Sequence, residues 1–591
     1  MKNLLLLPLV FIPLFLLSQD PFLPNPHSQE ELEKIRKGLY PPVVKPSKTI
    51  TAPPPKPVRH MAEWEELEAL VITWQSFPEI LSQIVKYAKE EVRVIIIVEN
   101  DQDRMQAEGH LSSIGVALDD NIEFVTARHN SVWSRDYAQT TVYADEVGER
   151  YFTDWVYDRI RPDDDTVAVA VADYLGAPLY STTEAENRLS NAGGNFMSDG
   201  LGNGFCSKLI LQTNGPGNIF SGGALSEFEI DGIMQAYMGI NRFVKFDTLP
   251  WDIIHHLDMH MHLLDEETFV VGQYPEGVAD GPQIEANINY LLDHFESAFG
   301  SPYQIKRIVQ PPDFQGNYPD EGAVLRNYTN FVFINKTILV PTYEERYDRV
   351  ALRFYREYFP GYKVVGINCN NMIAAVGALH CITKEVGTSD PLWIVHQRQR
   401  DISDNAVWGD YELSARFKHR TGISSAKLFW TTDPQLGYEP ADMSLTNYFT
   451  GEWTASIPHQ ADGTEIFYYV QGTAFSGKTQ VRPLPAPAAY YHFKVDTKTT
   501  ATTEAQAAVL ENIYPNPASG ITVVPVLTNE KIAAKIELTD VAGRLVELLF
   551  EGTLPPGKTN VYLHAEQYAA GVYFVNLKTE GGVVSRKVVV K

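Results

Sequence analysis

In residues 376–383 a cysteine, Cys381, follows a run of small residues and a histidine, His380, and leads into an apolar, strand-like stretch. A thiolate is a nucleophile, and a single cysteine with histidine, aspartate and asparagine elsewhere in the chain has the make-up of a cysteine-nucleophile site. A lone cysteine is also a common small core residue. Four upstream segments decide between these readings.

The first is Trp133, Ser134, Arg135, Asp136 and Tyr137. A carboxylate on a turn beside an indole can hold a flat cation by paired hydrogen bonds and stacking. The competing reading is an Arg135–Asp136 surface pair with Trp133 in the core. Residues 191–200 form a second, glycine-rich segment without the lysine of a phosphate loop or the spacing of a dinucleotide turn. Gly193 and Gly194 then mark either a backbone that must approach a ligand closely or a turn.

The third segment holds His255, His256, Asp258, His260 and His262. Read at strand period, His256, Asp258, His260 and His262 share one face. Metal ligation is one use, but ligands strung along a strand span about 20 Å, too far to meet one ion. A general acid/base, His256, with a cation-binding carboxylate, Asp258, ranks ahead of metal, and a merely polar strand face comes third. The fourth segment ends in Asn330, before the apolar run 331–334, where an asparagine either orients a reactive side chain or makes a turn. Arg159 and Arg161, two residues apart, suit a carboxylate, or else pair with Asp163, Asp164 and Asp165, whose spacing is not that of a calcium loop.

A chain of 591 residues is too long for one core, and its 44% hydrophobic and 21% charged content is that of ordinary globular protein. The net charge of −25 excludes a phosphate-binding nucleic-acid partner and suits a cationic substrate or simple solubility. Residues 1–19 read as a signal peptide: one lysine, an apolar run too short to span a bilayer, a polar exit. No second run is long enough for a transmembrane helix. With three cysteines at least one thiol is free, and the redox state of Cys206 and Cys369 is open.

Residues 20–60 are proline-rich, a linker or pro-segment broken by one short helical pattern over 29–38. Globular patterning over 61–388 alternates strands and helices, an α/β domain of many short units. Strands are predicted at 70–74, 92–98, 122–126, 132–143, 208–212, 268–272, 303–309, 330–334 and 338–341, with helices at 80–91, 167–175 and 283–299. Residues 389–496 carry only short, turn-punctuated strands, an all-β sandwich of Ig-like size. A polar linker, 497–508, leads into a last β domain, 509–591.

That last domain resembles the C-terminal sorting domain of type IX secretion, through Tyr514-Pro515-Asn516-Pro517, residues 540–544, residues 571–575 and the closing residues 587–591. The resemblance implies the type IX machinery as a partner and a secreted or surface-attached product. Residues 64–387 resemble the Porphyromonas-type peptidylarginine deiminases and the related agmatine deiminases of the guanidine-modifying (pentein) superfamily. Five motifs carry this in order: Trp-x-Arg-Asp at 133–136, Gly-Gly-Asn with Asp-Gly at 193–200, His-x-Asp at 256–258, Tyr-Thr-Asn at 328–330 and His-Cys at 380–381.

The resemblance implies a five-fold pseudo-symmetric α/β propeller. It implies Cys381 as nucleophile, His256 as acid/base, Asp136 and Asp258 on the guanidinium, and Asn330 positioning the nucleophile side. Trp133 and Gly194 line the substrate, Arg159 and Arg161 hold a terminal carboxylate, and neither metal nor cofactor takes part. Arginine-containing peptides ending in arginine are the first substrate implied, giving citrulline and ammonia. Agmatine or free arginine comes second, since residues 374–379 lack the longer glycine run usual in agmatine deiminases and agmatine has no carboxylate for the arginine pair. An inactive adhesin and a metallohydrolase on the histidine face are the readings from other classes.

Overall fold

A computed structural model describes residues 22–39, 49–184, 186–220, 223–402, 409–495, 508–541 and 543–591. The signal-peptide reading of 1–19 and nearly all of the 497–508 linker lie outside the described residues. None of the helices described is long and apolar enough to cross a membrane.

Residues 58–387 build five small sheets of like construction. In each, a short strand pairs antiparallel with the next, a helix crosses over, and a third strand joins in parallel. Met261–Asp265, Thr268–Gln273, the helix Gly281–His294 and Gln304–Val309 make one such unit. Val332–Ile334, Thr337–Thr342, the helix Glu345–Tyr358 and Lys363–Asn368 make the next. The parallel strand Arg93–Val98 is a nearly continuous apolar run because both its faces are covered: all but its first residue is buried.

One unit joins the two ends of the domain. Lys384–Gly387 pairs antiparallel with Leu67–Thr73, placing Lys384 opposite Val71, and Leu67–Thr73 runs parallel to Arg93–Val98. Residues 380–381 are thereby brought beside the start of the domain.

All five sequence motifs fall at the same place in these units, in the turn before the first strand of an antiparallel pair. Residues 133–136 precede Thr140–Ala144, 193–195 precede Met197–Ser198, 256–258 precede Met261–Asp265, 328–330 precede Val332–Ile334, and 380–381 precede Lys384–Gly387.

Three element assignments are corrected. The strand expected over 132–143 is a helical turn, Ser134–Tyr137, followed by the strand Thr140–Ala144. The 208–212 segment is a helix, Leu209–Thr213, buried along one side, and the strand before it, Asn203–Ser207, is too polar to show an apolar alternation. The histidine-rich stretch is not one strand: Leu257–Met259 forms a 3₁₀ turn and the strand begins at Met261. His256, Asp258, His260 and His262 therefore do not share a face.

Beyond the α/β domain, two antiparallel sheets share one apolar core. Leu413 and Phe417 of Tyr411–Lys418 meet Leu428 of Ile423–Thr431 and Tyr468 and Val470 of Glu465–Ala474. The C-terminal region repeats this construction on a smaller scale, Val524 and Val561 of one sheet packing with Ile536, Leu538 and Val575 of the other.

Candidate active site

The helical turn Ser134–Tyr137 buries Asp136, and the peptide around it is fixed from two sides. The Arg135 N–H donates to the Cys381 carbonyl at 3.1 Å, and the Trp155 indole donates to the Asp136 carbonyl at 3.1 Å. The turn at 193–195 lays Gly194 against the site. Its N–H donates to Asp136 Oδ1 at 3.0 Å. A β-carbon on Gly194 would stand 2.6 Å from His256 Nδ1 and 3.1 Å from both Asp136 Oδ1 and Asp258 Oδ2. Three polar side chains thus crowd around one glycine, which sits in a 3₁₀ turn, Gly193–Asn195.

Cys381 completes the group. Its Sγ lies 3.6 Å from Asp258 Oδ2 and 3.3 Å from Asn330 Nδ2. Asn330 Oδ1 accepts from the His380 N–H at 3.0 Å and the Cys381 N–H at 3.4 Å, so one side chain holds both the backbone of residues 380–381 and the Cys381 sulfur. The small residues before Cys381 have a steric cause. Gly377 packs on Trp133, and a β-carbon there would stand 2.4 Å from the indole; Val376 is left-handed at φ 63°.

Burial and two neighbouring carboxylates, Asp258 and Asp136, push the Cys381 thiol well above its usual value. Burial raises Asp136, with Asp258 adding to the rise and His256 opposing it. Burial also acts against Asp258, but the hydrogen bond and charge of His380 hold it below the ordinary carboxylate range. The site as it stands is short of positive charge. His256 Nδ1, His256 Nε2 and Asp258 Oδ1 are buried without a hydrogen bond, and His256 Nδ1 stands 3.7 Å from Asp136 Oδ1.

Behind this group lies a layer the sequence reading missed. Glu63 accepts from His380 Nε2 at 3.0 Å and His262 Nε2 at 3.1 Å, and lies 3.5 Å from Arg135. Arg135 pairs with Glu385 at 2.6 Å, and His380 Nδ1 reaches Asp258 Oδ2 at 2.8 Å. Glu63, His262 and His380 hold ligand atoms within 4.8 Å of one another. The Arg135 guanidinium already neutralises Glu63 there, which works against a cation. Of the histidine face read from the sequence only His262 belongs to this cluster, while His260 is buried elsewhere with neither ring nitrogen partnered. Nothing in the sequence around Glu63, which sits among other acids, sets it apart.

The arginine pair is split. Arg161 holds the Glu31 carboxylate through Nε at 2.8 Å and Nη2 at 3.0 Å. Arg159 instead donates to the Asn25 carbonyl at 2.9 Å and pairs with Asp158. Residues 22–38, read as linker or pro-segment, lie across the site, and the Trp133 indole donates to the Leu23 carbonyl at 3.0 Å. Cys381, Asp136, Asp258 and His256 are all fully buried, so the thiol is covered.

The Porphyromonas-type peptidyl-arginine deiminase family matches residues 59–386, and the secretion-system C-terminal sorting domain matches 512–591. A putative agmatine deiminase of Legionella pneumophila is 24% identical over 362 residues, covering 56% of this chain and 95% of the relative. One of Marinomonas is 23% identical over 360 residues, covering 56% and 94%. An X-ray structure of a putative agmatine deiminase superposes with TM-score 0.50 at 19% identity, covering 58% of this chain and all of that one. The agmatine deiminase of Enterococcus faecalis gives TM-score 0.49 at 20% identity, covering 58% and 100%. The sorting domain marks the protein for type IX export, to be released or held at the cell surface. With its family matched over more than half its length, this chain belongs to the Porphyromonas-type peptidyl-arginine deiminases.

Proposed function

We propose that the protein hydrolyses the guanidinium of arginine at the C-terminus of peptides, giving citrulline and ammonia. The observation that carries this is the meeting of Cys381, His256, Asp136 and Asp258 around the Gly194 backbone. Two carboxylates facing one buried space repel each other unless a cation lies between them, and a planar guanidinium can give each of them paired N–H bonds. Burial and the two carboxylates keep Cys381 protonated; the cation offsets both, so the thiol proton passes to His256 and the thiolate forms in the complex.

The sulfur then bonds to the central guanidinium carbon, giving a tetrahedral adduct. His256 gives a proton to the departing nitrogen as the C–N bond breaks, and ammonia leaves a covalent S-alkylthiouronium. His256 next takes a proton from water, whose oxygen bonds to the same carbon. The C–S bond breaks, leaving the ureido group and the free thiol. Water is consumed, ammonia is released, and no redox change occurs. Five units of like construction with a motif at the same point in each support a five-fold propeller around this site, and the shared-core sheets behind it support an Ig-like domain.

Arg161, already holding a carboxylate, favours a substrate with a free carboxylate over agmatine. The names of the relatives favour agmatine. Citrulline or carbamoyl-amine release should be compared for terminal-arginine peptide, internal-arginine peptide, free arginine and agmatine, with Cys381→Ala as control. Fastest turnover of the terminal-arginine peptide is expected. Turnover surviving in Cys381→Ala rejects the nucleophile, and agmatine turned over fastest rejects the peptide substrate.

A further inference from the structure

The N-terminal segment occupies this site with groups that resemble what the site is built to hold. Asn25 is fully buried, and its Nδ2 donates to Asp136 Oδ2 at 3.0 Å, where a guanidinium N–H would donate. Its backbone is held at both ends: the N–H donates to the Ala375 carbonyl at 2.9 Å and the carbonyl accepts from Arg159 Nε at 2.9 Å. Six residues on, Glu31 gives Arg161 a carboxylate in bidentate geometry, and Arg161 Nη2 also donates to the Pro24 and Pro26 carbonyls at 2.7 and 3.0 Å. Phe22 packs at a tilt against Phe77, with ring centroids 4.8 Å apart. The helix Gln29–Arg36 that presents Glu31 is closed by a full capping box from Ser28, so its first turn is fixed by its own sequence.

The fit is incomplete in an informative way. A carboxamide offers one donor group and no charge, and Asn25 Oδ1, Asp258 Oδ1 and both His256 nitrogens remain without a hydrogen bond. A guanidinium would satisfy more of these atoms and supply the missing positive charge. The segment is therefore a weaker occupant than an arginine side chain, held in place by being part of the same chain, at high effective concentration.

We propose that residues 22–38 are an intramolecular inhibitor: Asn25 stands in for the substrate guanidinium, Glu31 for its carboxylate, and the chain is latent until the segment is displaced or cut away. This rests on the deiminase reading for what is inhibited, but the covering of Cys381 can be tested without it.

Three full-length chains are compared: the parent, Asn25→Ala/Glu31→Lys, and one with a specific protease site between residues 38 and 50, cut and separated from the released segment. Iodoacetamide labelling of Cys381 is followed by peptide mass spectrometry, with citrulline release measured in parallel. The double variant and the cut chain should label at least ~10-fold faster than the parent, the order expected when a buried charge-assisted pair is lost. A synthetic 22–38 peptide should restore protection, and the peptide with the two substitutions should not. Equal labelling rates in all three chains, with intact melting transitions, overturn the proposal. Faster labelling without citrulline from any chain upholds the inhibitor and rejects the deiminase reading. Faster labelling that the native peptide does not reverse also overturns it, since the effect is then a loosened fold.

Discussion

Two buried charged layers lie back to back in this domain, and they are built by opposite rules. In the rear layer each charge meets its opposite: Glu63 with His380, His262 and Arg135, and Arg135 with Glu385. In the front layer two carboxylates face one space, a thiol sits 3.6 Å from one of them, and an imidazole has neither nitrogen hydrogen-bonded, its Nδ1 3.7 Å from Asp136. Pairing makes the rear layer a rigid support, because an unmatched buried charge is costly. The front layer leaves His256 and one oxygen of Asp258 without a hydrogen bond, and that deficit is what a cationic ligand can fill. His380 joins the two, touching Glu63 behind and Asp258 in front.

If the front layer is built for a cation and the rear for stability, substitutions should separate the two. All activities are to be read in the Asn25→Ala/Glu31→Lys chain. Asp258→Asn should cost about 10³-fold in kcat/KM, as for loss of a charged partner of the transition state, and it should lower the melting temperature too, because it breaks the buried pair with His380. With one repelling carboxylate gone, ultraviolet thiolate absorbance should show Cys381 ionising at lower pH. A thiol titrating unchanged would contradict the electrostatic account of the front layer. Gly194→Ala puts a carbon 2.6 Å from His256 Nδ1, and a displaced acid/base should lose about 10²-fold in kcat. Retained activity would show that the glycine serves only the turn.

Glu63→Gln tests the rear. Burial and Arg135 push His380 down, but Glu63 and Asp258 raise it above its ordinary value. A raised histidine contributes stability fully below its unfolded value of about 6.5 and loses it as pH rises through the folded value. The substitution should destabilise the chain by about 3 kcal/mol at neutral pH, the cost of breaking a buried pair. Its alkaline loss of stability should begin at lower pH than in the parent. Denaturant melts across pH measure both, and an unshifted alkaline limb would detach Glu63 from His380. Smallest should be Asn330→Ala, about tenfold in kcat for lost hydrogen bonds to the nucleophile segment, with KM unchanged.

The front layer was legible because its residues recur in short motifs, and each motif sits in the turn before an antiparallel pair. The secondary-structure reading was weaker where local pattern misled. Four polar residues at alternate positions in 256–262 imitate a strand, and only the 3₁₀ turn at Leu257–Met259 separates His256 and Asp258 from His262. Glu63 and Glu385 carried no signal, since a buried acid and a surface acid look alike until their partners are known; Arg135 stood in a motif, but its partners Glu63 and Glu385 did not show.

Sequence alone determined that one chain carries an exportable α/β domain with a cysteine, an imidazole, two acids and an asparagine set in five separated motifs, because side-chain chemistry and local spacing are written in the order of residues. Which of those groups meet, that a paired layer stands behind them, and that Asn25 and Glu31 cover them were decided only in the tertiary structure. Contacts such as Asn25 to Asp136, 111 residues apart, arise from how five sheets are placed, and no local pattern encodes that distance.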